Sequence, residues 1–121
     1  MTTPESAGST PGPSWLKADQ EASITPVPGV HIRSMSGDRL MFIFVRIDPH
    51  AEVPPHQHVN EQVGTVIEGA MTITIGGESR VVSAGEAYHI PANVPHSAKT
   101  DEHGCLVIDV FSPPREDYRM P

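Results

Sequence analysis

The 121-residue chain has a single cysteine, which excludes an intramolecular disulfide framework. It is poor in basic residues. Eight Lys and Arg stand against fifteen Asp and Glu, a formal net charge of −7. That balance argues against nucleic acid and against an anionic membrane surface as partners, since both need a basic footprint. It leaves open an acidic small molecule, because a pocket's local charge can oppose the global one. No apolar stretch approaches the ~20 residues of a membrane span. The start, from Met1 to Trp15, has neither a basic region nor an apolar run of the secretory kind, so a cytoplasmic protein is expected. Aromatic residues make up only 5% of the chain, so its core must be built mainly from aliphatic side chains.

What is abundant is punctuation. Thirteen prolines and ten glycines leave few windows long enough for a helix of three turns, which rules out an all-helical bundle. Short strands joined by turns fit better, in one domain over residues 23–121. Residues 1–14 hold six Ser or Thr, three Pro and two Gly and read as a disordered tail. Ser14 to Ala22 could form one short helix, docked by Trp15 and Leu16. Leu40 to Val45 is an apolar run that suits a strand buried on both faces or at a subunit contact. Gln62 to Glu68 reads as a strand. Met71 to Ile75 alternates, Gly76-Gly77 turns the chain, and Glu78 to Ser83 returns as a hairpin arm. Ala87 to Ile90 and Cys105 to Phe111 are further strands. The spacing suits an antiparallel sandwich or barrel.

Three of the seven histidines stand out. His56-Gln57-His58 lies in a segment expected to be extended, where residues two apart face the same side. His96 follows 38 residues after His58, behind a loop bracketed by Pro91 and Pro95. Three surface histidines, or three nitrogen ligands for one metal ion, both satisfy this spacing.

The stretch from His56 to His96 resembles the two motifs of the cupin superfamily. The first gives His56, His58, Gln62 and Gly69; the second gives Gly85, Pro91, Asn93 and His96. Gln62 stands where most cupins have Glu, Asn93 where they have Gly, and His50 where they have the leading Gly. More narrowly, the segment from Ile90 to His96 and the ending from Asp109 to Tyr118 are similar to pectin degradation proteins of the KdgF type. The resemblance covers about residues 30–115. It implies an all-β, antiparallel double-stranded β-helix (a jelly-roll barrel) that holds one divalent transition metal ion.

By that resemblance His56, His58, Gln62 and His96 would hold the ion, which could be Ni, Fe, Mn, Co or Zn. Glu61 is the rival ligand, but adjacent strand residues point to opposite faces, and Gln62 has the family register. Asp109 shares a strand face with Cys105, Val107 and Phe111, an arrangement that is costly for an Asp unless it is paired with a neighbouring His or Arg, or functional. The resemblance implies proton transfer by Asp109, a contact between Arg115 and a substrate carboxylate, and an apolar wall from Phe111. Arg115 could instead be a surface ion pair and Phe111 plain core. The implied reaction is ring opening of 4,5-unsaturated monouronates or a related acidic sugar. A dioxygenase, a non-catalytic sugar or effector binder and a metal-free barrel are the rival readings. A homodimer is expected, through a sheet edge or the Leu40 to Val45 run.

Overall fold

The computed structural model describes residues 12–22 and 24–119. Most of the expected tail, residues 1–11, lies outside the described residues. Eight strands follow: β1 (Ile24–Val27), β2 (Val30–Ser36), β3 (Met41–Ile47), β4 (Glu52–His56), β5 (Glu61–Ile75), β6 (Glu78–Ser83), β7 (Ala87–Ile90) and β8 (His96–Ser112), with a 3-10 turn at Glu116–Tyr118. Every pairing is antiparallel, in the order β1-β2-β3-β8-β5-β6, with β4 on β8 and β7 on β5. The expected all-β jelly-roll barrel is the fold observed.

Two long strands organise it. β5 and β8 pair along their whole length, from Glu61↔Ser112 to Ile75↔His96. Their N- and C-terminal halves take different outer partners, so each strand belongs to both walls of the barrel. The change of wall occurs at bulges near Gly69, where φ is +77°, and beside Gly104, where φ is +68°. A Cβ at Gly69 would collide with the Gly104 carbonyl, so this corner closes only because side chains are missing there. The core lies between the walls and includes Ile32, Met41, Ile43, Val66, Met71, Ile90, Val107 and Phe111. Cys105 is buried beside it, and burial pushes its thiol up to about 11, as for an inert packing residue.

Two local expectations are corrected. No helix forms over 14–22: Ala18 and Asp19 make an isolated turn, and Trp15 is 84% exposed. A nine-residue helix is marginal without a packed face; the Gln20 carbonyl accepts from Arg33 Nε at 2.6 Å. Of the two readings of the Leu40 to Val45 run, burial on both faces or a subunit contact, the first is not what the chain shows. Met41, Ile43, Val45 and Ile47 point inward, Phe42 and Phe44 are half-buried on the outer side, and Leu40 is exposed.

His50 and Asn93, which replace family glycines, are the two non-glycine residues with positive φ among the described residues, at 52° and 63°. Asn tolerates this region better than most residues, yet a side chain there still costs on the order of 1 kcal/mol. The Asn93 N–H donates to the His58 carbonyl at 2.8 Å, so the strained turn also holds the His-x-His segment. Asn93→Ala is expected to lower Tm by about 3–5 °C, whereas Asn93→Gly leaves it within about 1 °C, the relief of strain being offset by the greater chain entropy of glycine, as measured by calorimetry.

Candidate metal centre and adjoining cavity

β4 ends at His56, and His58 sits in the connection to β5 rather than in an extended strand. The two rings still converge. β4–β8 pairing places His56 directly across from His96, with ring centroids 4.2 Å apart; His58 lies 4.9 Å from His96 and 5.7 Å from His56. One ring nitrogen from each lies within 4.8 Å of the others, a grouping positioned for a metal ion.

Backbone carbonyls fix the tautomers. His56 Nδ1 donates to Pro54 O at 2.9 Å, His58 Nδ1 to Asn60 O at 2.9 Å, and His96 Nδ1 to Val94 O at 2.8 Å. A carbonyl can only accept, so each proton sits on Nδ1 and each Nε2 carries a lone pair. Burial holds His96 down at about 4, against the opposing Val94 hydrogen bond. Burial, followed by the charge of Arg115, lowers His58. Both rings are therefore neutral near pH 7, as ligands must be.

Gln62 adds a further unpartnered acceptor. Its side chain is buried, and its Oε1, like His58 Nε2 and His96 Nε2, has no hydrogen-bond partner. Three acceptor atoms are thus buried with no hydrogen to share. Such atoms cost stability unless something electropositive joins them, and a cation fits that requirement. Glu61, the rival ligand, is exposed on the outer face and bonds His89 Nε2 at 2.7 Å. The parity of β5 separates these two neighbours.

The same cavity is lined by Asp109, Phe111 and Arg115. Asp109 is 6% exposed and is satisfied by neither His nor Arg: its Oδ1 accepts from Tyr88 OH at 2.6 Å. Burial raises its pKa, opposed by hydrogen bonds from Tyr88 and Gln62 and by the charge of Arg115. Burial, with the adjacent Asp109 charge, pushes Tyr88 well above its ordinary value, so it remains a donor. Phe111 serves both as core and as cavity wall, edge-on to His58 at 5.5 Å between ring centroids. Arg115 pairs with the exposed Asp117, through Nη2–Oδ2 at 2.8 Å and Nε–Oδ1 at 3.3 Å, yet its side chain is only 12% exposed and stacks 4.0 Å from the Tyr118 ring centroid.

Sequence reasoning passed over Tyr88, Gly64 and Asn60. Tyr88, Gly64 and Asp109 form one cross-strand row over β7, β5 and β8. A Cβ at Gly64 would run into Asp109 Oδ1 and the Tyr88 ring. The signal for Gly64 was present, since a glycine inside a strand marks close approach by another group; Tyr88 carried none. Gly64→Ala is expected to cost about 1–3 kcal/mol as overpacking, read as a lower urea midpoint with an unchanged m value.

The Cupin domain family matches residues 43–111. The pectin degradation protein KdgF of Dickeya dadantii (strain 3937) is 35% identical over 82 residues, 67% of this chain and 74% of the relative. H2HPP isomerase of Bacillus subtilis is 39% identical over 66 residues, 53% of this chain but 28% of the relative. The solved structure of KdgF from Halomonas sp. superposes with a TM-score of 0.79 at 33% identity, over 88% of this chain and 98% of that one. With its fold, its two histidine motifs and these matches in agreement, the chain belongs to the cupin family and, within it, is KdgF-like.

Proposed function

We propose that the protein is a metal-dependent enzyme that opens the ring of 4,5-unsaturated monouronates or a closely related sugar acid. The observation that carries this reading is one cavity lined by His56, Gln62 and His96 together with a carboxylate, Asp109, and a cation, Arg115, with the unpartnered Nε2 of His58 beside His96. The similarity to KdgF supports the pectin-derived substrate class.

His56, His58, Gln62 and His96 would hold a divalent transition metal, one of Ni, Fe, Mn, Co or Zn. All four donors are neutral, so the bound ion keeps its charge and supplies Lewis-acid stabilisation of a substrate oxygen as negative charge develops there. The chain's own residues bind the substrate and move its protons. Asp117 occupies the Nε–Nη2 edge of Arg115, which leaves the Nη1 end of the fork to a substrate carboxylate. Phe111 lies against the ring. The substrate is a cyclic enol ether whose C1 is a hemiacetal. Asp109 accepts the C1 hydroxyl proton, the C1–ring oxygen bond breaks, and its electron pair remains on the oxygen, conjugated with the C4–C5 double bond. Returning the proton to C4 gives the 5-keto aldehyde with no change of mass. Tyr88 holds Asp109 Oδ1, so Oδ2 is the oxygen available for proton exchange.

Elemental analysis of purified protein, followed by decay of the enol-ether ultraviolet absorbance of unsaturated galacturonate, tests the reading. Chelation should abolish decay, and re-addition of the ion should restore it. Asp109→Ala should reduce kcat by about 10²–10⁴-fold with metal content unchanged, while Arg115→Ala should mainly raise KM. Unchanged turnover in Asp109→Ala, or oxygen uptake coupled to substrate loss, would overturn the assignment.

A further inference from the structure

Beyond Ser112 the chain carries Pro113 and Pro114, then Arg115 and the turn Glu116–Tyr118. Proline has a carbonyl but no N–H, so this pair cannot continue a sheet, and its carbonyls need donors from elsewhere. One side chain supplies them. Asn60 Nδ2 donates to Pro113 O at 2.7 Å and to Pro114 O at 3.2 Å. Asn60 is 7% exposed, and Pro114 is buried with it. The main-chain oxygen of the same Asn60 accepts from His58 Nδ1 at 2.9 Å. Asn60 thus grips His58 through its backbone and the C-terminal segment through its side chain. The far end of that segment is tied to β2, where Ser34 Oγ donates to Tyr118 O at 2.6 Å and Arg119 Nη1 to Ser36 Oγ at 2.9 Å. Arg115 lies between the two attachments and, with Tyr118, lines the cavity.

We infer that Asn60 is a positioning residue for Arg115: its carboxamide pins the Pro113–Pro114 carbonyls and so fixes where the guanidinium meets the cavity beside His58. With both carbonyls held and φ fixed by two proline rings, the chain entering Arg115 has little freedom left. Asn60 is neutral and takes no part in proton transfer. Its loss should therefore affect the grip on a carboxylate rather than the chemical step.

The substrate arm of the test rests on the sugar-acid reading above; the other arms do not. Asn60→Ala removes both donated bonds but keeps the backbone oxygen that orients His58, so Mn²⁺ stoichiometry and Kd should stay within about threefold of wild type. Trypsin cleavage after Arg115, followed by intact mass, should speed up about tenfold, the scale of one buried hydrogen bond. KM for unsaturated galacturonate should rise about tenfold with kcat changed less than about threefold. Adding Asn60→Ala to Arg115→Ala should raise KM no further, since the two effects share one route. Asn60→Asp, of nearly the same shape, should free the segment at least as much, because carboxylate oxygens then face two carbonyls. An unchanged trypsin rate in both variants overturns the inference, as do fully additive effects with Arg115→Ala or a matched fall in kcat and Mn²⁺ affinity. If wild type itself leaves the uronate untouched, the sugar-acid reading fails, and the trypsin and Mn²⁺ arms still decide the role of Asn60.

Discussion

The position of three protons governs this site. Each imidazole gives its Nδ1 hydrogen to a main-chain carbonyl, of Pro54, Asn60 and Val94. With the other tautomer, three N–H dipoles would point at one another and no ligand could be received. The backbone bonds forbid that arrangement and also fix the ring planes. The arrangement has a cost. Two Nε2 atoms and the Gln62 Oε1 are buried without partners, each at roughly 1–3 kcal/mol. Sheet pairing on both flanks must supply that energy, and the long β5–β8 ladder, which carries both Gln62 and His96, is placed to do so.

The rest of the cavity is arranged around a different constraint, the burial of a carboxylate. Asp109 stays in the barrel wall because Tyr88 donates to one oxygen and because Gly64, between them in the row, has no side chain to push them apart. Arg115 lowers both the Asp109 pKa and the His58 pKa through its charge. It therefore works against the burial that raises Asp109 and adds to the burial that lowers His58.

Much of this was legible in the sequence, in proportion to how local the cause is. The strands over Met71 to Ile75 and Glu78 to Ser83, with the turn at Gly76-Gly77, follow from alternation and glycine, and both glycines do have positive φ. The choice of Gln62 over Glu61 as the inward residue follows from strand parity together with the register of the motif. The motif departures at His50 and Asn93 mark positions of real backbone demand. The failures are tertiary. The expected helix at 14–22 finds no packed face, with Trp15 exposed. Tyr88 and Asn60 reach Asp109 and Pro113 across 21 and 53 residues of chain, and no periodicity in the sequence encodes such pairs.

Gln62, the departure at the ligand position, has a chemical logic that a carboxylate would break. Its side chain lies between the imidazoles and Asp109 and forms a hydrogen bond that helps to hold the Asp109 pKa down. An amide has two different ends. Its N–H₂ faces the Asp109 carboxylate while its oxygen faces the imidazoles, and the reverse orientation would set its oxygen against the carboxylate and its N–H₂ against the lone pairs that a cation would need. Glu at this position offers oxygens on both sides. It would sit against Asp109 as a second buried carboxylate, and one of the two would have to keep a proton. It would also cancel part of the charge of any ion held by the three imidazoles. On the proposed function, the glutamine would let an acid-base carboxylate and a neutral ligand set lie side by side, separated by a single amide.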